Sequence, residues 1–272
     1  MTHQSRQGDH PCQVIAVVNQ KGGVGKTTTT INLATGLAAV GQRVLIIDLD
    51  PQGNASTGLG VPHEMRHKSS YSVLIEGMPL DEAVQSTVIP NLFVVPSHVN
   101  LSGAEIELID IDHRTERLKM ALTPWIDQYD FVLVDCPPSL GLLTINALVA
   151  VKLMLVPLQC EFFALEGLTM LLKTVDRVRE NFNLDLEILG VALTMYDRRN
   201  RLSEQVEQDV RSYFNDLVFK TVIPRNVRIS EAPSHGIPVL IYDHRCMGSE
   251  AYMALAREVL QKIGTRRKSA AA

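Results

Sequence analysis

Two apolar patterns alternate along the chain. Short, continuous runs rich in β-branched residues fall at 14–18, 43–48, 92–96, 129–135, 152–157 and 186–195. Such runs predict strands buried on both faces. A weaker run at 220–223 predicts a seventh, short strand. Between the runs the apolar residues recur with helical spacing. Ile31, Leu33, Ala34, Leu37 and Ala38 form a stripe that stops near Gly41, and Leu118, Leu122, Trp125 and Ile126 share a face. Helices are predicted over 101–111, 115–128, 141–149, 163–181 and 249–263, with Leu202, Val206, Val210 and Phe214 marking another. Short helices are expected near 72–76 and 80–85, and loops at 54–68 and 224–235, the second with a short helix inside it. Strands alternating with helices predict an α/β fold: a doubly wound, mostly parallel sheet flanked by helices. No repeat or long linker divides it. The expected organisation is one domain over 13–263, a disordered tail at 1–12 and a basic flexible tail at 264–272.

Composition removes several classes of function. The chain of 272 residues is 46% hydrophobic, which suits one large globular domain. No apolar run reaches about 18 residues, so no transmembrane helix is expected. The polar N-terminus lacks the apolar core of a secretion signal, which favours a cytoplasmic protein. The four cysteines contain no Cys-x-x-Cys pair, which argues against a zinc or iron–sulfur centre. With a net charge of −4, any nucleic-acid contact must come from a local patch.

The chemistry is concentrated after the first strand. There the chain reads Asn19-Gln-Lys-Gly-Gly-Val-Gly-Lys-Thr-Thr28 and enters a helix. A glycine-rich turn between strand and helix is the setting of a phosphate-binding loop. Gly22, Gly23 and Gly25 let backbone N–H groups face inward, alongside Val24, and the helix N-terminus favours an anion. Lys26 is placed to reach the β- and γ-phosphates, the Thr27 hydroxyl to hold Mg²⁺, and Thr28 to bind an α-phosphate oxygen. A second lysine, Lys21, precedes Lys26 by five positions, at the lip of the loop. Three acids end two strands: Asp48 and Asp50 on one, Asp135 on the other. Ligands of parallel sheets sit beyond such ends. Asp135 is expected near the Mg²⁺, through a water or by holding Thr27. Asp50 is expected to orient the attacking water and to lie near the metal. Asp48 is expected to support the metal shell and Lys21 or Lys26. No Asn-Lys-x-Asp motif points to guanine.

Lys21-Gly-Gly-Val-Gly-Lys-Thr27 resembles the deviant Walker A motif of the ParA/MinD family of P-loop NTPases. The segments 44–54, Val134-Asp-Cys-Pro-Pro-Ser139, 161–167, Thr194-Met-Tyr-Asp197 and 222–234 are similar to those of chromosomal ParA/Soj members, so the likeness spans about 14–263. The resemblance implies ATP and Mg²⁺ as cofactors, weak basal ATPase activity and an ATP-dependent sandwich homodimer in which Lys21 contacts the partner's phosphates. It puts the water-orienting acid on Asp50 and the adenine pocket at Pro224, Arg225 and Asn226. It implies sequence-independent binding to double-stranded DNA through Arg199 and Arg228, release by a ParB-type centromere-binding partner, and a place on the nucleoid. Charge alone is less telling. Residues 198–228 carry seven basic side chains against four acidic ones, a balance that an ordinary solvated face also shows. Arg198, Arg201, Arg225 and the basic terminal stretch of Lys262, Arg266, Arg267 and Lys268 are weaker candidates for the same DNA. The rival within the family is a MinD-like, membrane-associated regulator of division-site placement. It needs a C-terminal amphipathic helix, and little apolar residue content follows Ile263.

Overall fold

A computed structural model of the chain describes residues 11–161 and 164–271. The strands are β1 (Gln13–Val17), β2 (Val44–Asp48), β3 (Gln85–Ser86), β4 (Leu92–Val95), β5 (Phe131–Asp135), β6 (Leu153–Gln159), β7 (Glu187–Tyr196) and β8 (Val218–Pro224). They form a single sheet in the order β3-β4-β2-β5-β1-β6-β7-β8. All pairings are parallel except that of β3 with β4 at one edge. Helices α1 (Lys26–Ala39), α2 (Asn54–Gly58), α3 (Ser70–Leu74), α4 (Leu80–Ala83), α5 (Ala104–Glu107), α6 (Arg117–Leu122), α7 (Leu142–Ala150), α8 (Ala164–Asn181), α9 (Arg201–Phe214), α10 (Val227–Glu231), α11 (Val239–Tyr242) and α12 (Met247–Ala271) lie between and after them.

Successive side chains of a strand face opposite ways, and here each face has its own core. Val14 and Ala16 of β1 join Leu45, Ile47, Val132 and Val134 in one cluster, under residues of α6, α7, α8 and α9. Ile15 and Val17 join Val44, Ile46 and Leu133 in the other, under α1 and α12. That is the doubly wound sheet expected from the alternation. β1 lies in its interior between β5 and β6, so the loop leaving β1 is flanked by the ends of both.

Several boundaries differ from expectation for local reasons. The helix expected at 101–111 is three separate turns, the 3₁₀ segments Val99–Ser102 and Leu108–Asp110 with α5 between. Leu101, Ala104 and Leu108 keep the buried stripe, while Ile106 and Ile109 are exposed. The helix expected at 115–128 tightens to 3₁₀ over Thr123–Gln128, where Pro124 has no N–H for an i→i−4 bond. β3 has two residues, too few for a pattern, and α2 and α11 lie in stretches read as loop or left unassigned.

The stretch expected as a basic flexible tail at 264–272 is helical as far as Ala271, where α12 ends. The same cations that suggested a tail fasten it. Lys262 Nζ donates to Asp216 O at 2.7 Å and lies 4.6 Å from the Phe219 ring centre. Arg266 bonds Ile188 O at 2.8 Å and pairs with Glu187, and Arg267 donates to Pro11 O at 3.0 Å. The disordered tail expected at 1–12 lies, but for Pro11 and Cys12, outside the described residues, as does Phe163 at the start of the helix expected over 163–181.

Candidate functional site

The phosphate loop joins β1 to α1 as expected. Gly23 and Gly25 adopt φ of 76° and 86°, a left-handed conformation that a Cβ opposes. Their turns bring the loop over the N-terminus of α1, where the first N–H groups have no partner within the helix. The loop is tied down from three sides. Asn19 Nδ2 donates to Pro157 O on β6 at 2.8 Å, and its Oδ1 accepts from Lys21 N at 3.0 Å. Thr194 of β7 donates to Val24 O at 2.8 Å. Gln20 Nε2 reaches Gly167 O on α8 at 3.0 Å.

The two lysines are held differently. Lys26 is buried and donates from Nζ to Lys21 O at 3.0 Å, back across the loop. Burial lowers its pKa, against the pull of Asp135 and Asp50. Its ammonium has that one hydrogen bond and no carboxylate bonded to it among the described contacts, a setting complementary to an anion. Lys21 points elsewhere: its half-exposed ammonium pairs with Glu161 just past the end of β6.

Parallel register aligns Asp48 with Asp135 at the ends of β2 and β5. Both are fully buried, and burial raises both pKa values. Asp50 adds to each, and Asp48 to Asp135. Asp135 Oδ1 accepts from Thr30 Oγ1 at 2.9 Å, whereas its Oδ2 is buried without a hydrogen-bond partner. An unpartnered carboxylate oxygen near the Thr27 hydroxyl, which acts on its charge, fits the all-oxygen surroundings that Mg²⁺ prefers. Asp50 is nearly buried, its Oδ1 accepting from Gln52 N at 3.0 Å.

Asp48 is bonded within its own loop. Its Oδ2 accepts from Ser56 N at 2.8 Å and Ser56 Oγ at 2.7 Å, and its Oδ1 from Asp50 N at 3.2 Å. The carboxylate is turned into its own loop, so the support expected for Lys21 or Lys26 is absent among the described contacts. Nor do three of the described His, Cys, Asp or Glu residues converge on one metal position. A Mg²⁺ bound here would be held by few protein groups, with waters and phosphate oxygens supplying the rest, as is common for that ion.

The residues expected to form one nucleotide pocket are divided. Thr27 and Thr28 line a cavity of about 250 Å³ with Asn54, Thr57, Pro233 and Ile237. Pro224 and Arg225 line another, of about 730 Å³, with Tyr196, Asp197, Arg198 and Met247. Asn226 caps α10, accepting from Arg228 N at 2.8 Å. The candidate DNA-binding arginines are exposed but engaged. Arg199 makes a two-pronged pair with Asp197, both bonds 3.0 Å, which holds that carboxylate down at about 2. Arg228 pairs with Glu231 at 2.9 Å and with Asp243 at 3.6 Å. Arg198, Arg201 and Arg225 have no side-chain hydrogen bond or ion pair among the described contacts and are exposed.

The sequence reading missed the serines that build the acid loop. Ser56 Oγ also accepts from Ser97 N at 2.9 Å, Ser97 Oγ donates to Asp50 O at 2.6 Å, and Ser70 Oγ to Asp48 O at 2.6 Å. It missed Arg66 and the pairing role of Glu161 as well. A buried serine has no periodic signal; the one clue was the density of small polar residues after Asp50.

A sheet wound in this way, with such a loop on an interior strand and an open buried acid beside it, defines a P-loop nucleotide hydrolase. Comparison with known proteins narrows the class. The family model described as an AAA domain matches residues 12–188. The chromosome partitioning protein ParA of Caulobacter vibrioides is 56% identical over 264 residues, covering 96% of this chain and 99% of that one. The sporulation initiation inhibitor protein Soj of Bacillus subtilis is 52% identical over 247 residues, 91% and 98% of the two chains. Among solved structures, a cobyrinic acid a,c-diamide synthase from Mycobacterium smegmatis with bound ADP and magnesium aligns with a TM-score of 0.82 at 36% identity, over 94% of this chain and 97% of that one. The cell division ATPase MinD of Pyrococcus furiosus aligns with a TM-score of 0.76 at 28% identity, over 92% and 98%. The chain belongs to the ParA/Soj family of chromosome-partitioning ATPases. ATP and Mg²⁺ are accordingly its substrate and metal.

Proposed function

We propose that the protein is a nucleotide-timed DNA clamp for segregation: ATP closes a homodimer, the dimer holds DNA without regard to sequence, and hydrolysis releases it. The observation that carries this reading is the split between the two lysines. Lys26 lies inside its own cradle, whereas Lys21 is anchored outside it by a surface ion pair that a better anion can displace. Surface pairs of this kind are worth about 0–1 kcal/mol, so exchanging Glu161 for a partner's phosphates is inexpensive.

In this reading the N–H groups of Gly22 to Thr27 bind the phosphates and Lys26 meets the charge that develops on the γ-phosphoryl group. Thr27 and Asp135 would hold Mg²⁺, which would supply neutralisation of phosphate charge. Asp50 orients the attacking water. The adenine end lies against Pro224–Asn226 at the larger cavity. Arg199 and Arg228 contact DNA phosphates, exchanging Asp197, Glu231 and Asp243 for them, and Arg198, Arg201 and Arg225 add contacts. Two subunits double the contacts, so DNA affinity depends steeply on dimer formation. A ParB-type partner speeds hydrolysis, and the protein cycles on the nucleoid.

DNA binding across a salt series with ADP, ATP and a non-hydrolysable analogue tests the switch. Tight, salt-sensitive binding with ATP or the analogue and weak binding with ADP is expected; equal binding in all three states overturns it. Co-sedimentation with liposomes in the same states is expected to be negative. Lipid binding without DNA binding would instead establish the MinD-like role. Among the described residues no helix is long and apolar enough to cross a membrane.

A further inference from the structure

The loop that carries Asp50 is built around one guanidinium. Arg66 is 2% exposed and follows the 3₁₀ turn His63–Met65. Its Nε donates to Val61 O at 3.1 Å. Its Nη2 donates to Val61 O at 2.6 Å and to Thr57 Oγ1 at 2.8 Å, and its Nη1 to Gly53 O at 3.3 Å. No carboxylate pairs with it directly among the described contacts, although Asp48 and Glu64 act on its charge from further off. A buried cation without a partner carboxylate is uncommon, because the desolvation cost is met only by well-aimed acceptors. Here three backbone and side-chain oxygens are aimed at it, all from the segment between Asp50 and Arg66 itself.

The point of contact decides what this cation does. Gly53 caps α2 at φ 62°, and a Cβ there would come within 2.5 Å of Arg66 Nη1. Gly53 N donates to Asp50 O at 2.8 Å, and Gln52 N, inside the same turn, is the donor that holds Asp50 Oδ1. The guanidinium thus presses on the far end of a four-residue turn whose near end is Asp50. Thr57, a ligand of Arg66, also lines the cavity shared by Thr27 and Thr28.

We propose that Arg66 is a positioning residue for ATP hydrolysis: by bonding Gly53 O and Thr57 Oγ1 it fixes the 50–53 turn and with it the direction of the Asp50 carboxylate. The inference rests on Asp50 as the water-orienting group. It assigns no contact between Arg66 and the nucleotide. A lysine cannot replace the fork, since one ammonium cannot serve Val61 O, Gly53 O and Thr57 Oγ1 in this spread.

Single-turnover hydrolysis of radiolabelled ATP by the full chain, at saturating and limiting ATP, tests it on wild type, Asp50→Ala, Arg66→Lys, Thr57→Val and the double variant Asp50→Ala/Arg66→Lys. Arg66→Lys is expected to lower the saturated rate by roughly 10- to 100-fold, the scale of a small misplacement, with half-saturation within about threefold of wild type. Thr57→Val, which keeps Arg66 and the local shape, is expected to lower it by about threefold, and remains informative if Arg66→Lys does not fold. The double variant is expected to be no slower than Asp50→Ala, because the two act through one group. A merely structural role would multiply the losses or raise half-saturation instead. A saturated rate within twofold of wild type for folded Arg66→Lys, or for Thr57→Val should the former not fold, overturns the positioning role. Unchanged turnover in Asp50→Ala would overturn the assignment of Asp50 itself, whatever Arg66 does.

Discussion

The acids at the ends of β2 and β5 and the arginines beyond β7 and β8 stand along the same edge of one sheet, yet they are held in opposite ways. Asp48 and Asp135 are 0% exposed, and every oxygen but one is bonded to a neighbouring serine, threonine or backbone N–H. Arg199 and Arg228 are 88% and 51% exposed, and they pair with carboxylates within reach of water. Burial makes a geometry expensive to leave, because each group moved would lose its partner without gaining water. Exposure makes a geometry inexpensive to exchange, because water and salt already compete for it. A hydrolytic centre needs the first property and a reversible grip on DNA the second. The sheet brings the two together because β2, β5, β7 and β8 run parallel and end on the same side.

The sharpest way to break this contrast is to remove the buried cation. Lys26→Ala is expected to lower ATP turnover by at least about a hundredfold and to weaken ATP binding in calorimetric titration. Retention of turnover within tenfold would mean that the buried half is scaffold only. Next comes the serine network. Ser56→Ala removes the hydroxyl that donates to Asp48 and accepts from Ser97 N. It leaves buried groups unpaired, at a cost of about 1–3 kcal/mol. Scanning calorimetry should show a melting point lower by roughly 2–10 °C, and an unshifted one would show that the loop is not held this way.

The contrast also explains what the sequence made legible. The buried interior strands and the phosphate loop announce themselves, since continuous apolar runs and a glycine-lysine-threonine sequence have few other uses. The positions of Asp50 and Asp135 were legible because strand ends fix where acids gather; their roles stay proposals. The bonds that hold Asp48 were not legible, because its partner Ser56 lies eight positions on in a stretch with no period. Arg66 was hidden for the same reason. The bonds of Ser56, Ser70 and Arg66 all depend on how one irregular loop folds back. Side-chain to backbone bonds decide that, and they leave no pattern of hydrophobicity. The terminal stretch misled in the other direction: its cations suggested solvent, but three of them bind the chain's own carbonyls.

On the exposed side, smaller effects discriminate. Arg225→Ala removes a guanidinium with no hydrogen bond or ion pair of its own among the described contacts, and Arg199→Ala one that must first leave Asp197. Each lost phosphate contact should reduce the slope of DNA affinity against salt by about 1. Arg225→Ala is expected to weaken binding at least as much as Arg199→Ala. The melting point should be unchanged for both. A melting point lowered as far as in Ser56→Ala would place these arginines with the buried half.

The smallest expected effect is on the protonation of Asp197. The hydrogen bonds from Arg199 come first among the causes that hold its carboxyl at about 2, below an ordinary value of 3.8. A depressed carboxylate contributes stability above its unfolded pKa and loses it as pH falls through the folded one. The window is therefore pH 3.8 down to about 2, well below working conditions. Because the pair is exposed, the stability at stake is small, and the useful reading is the titration itself. Followed by carbon-detected NMR, Asp197 should titrate near 2 in the wild type and move up in Arg199→Ala. If saturating DNA draws Arg199 onto a phosphate, Asp197 should also move up in the wild type with DNA present. A titration unmoved by DNA would mean that the pair stays closed, and that the grip on DNA belongs to Arg198, Arg201 and Arg225, the arginines with no side-chain hydrogen bond or ion pair among the described contacts.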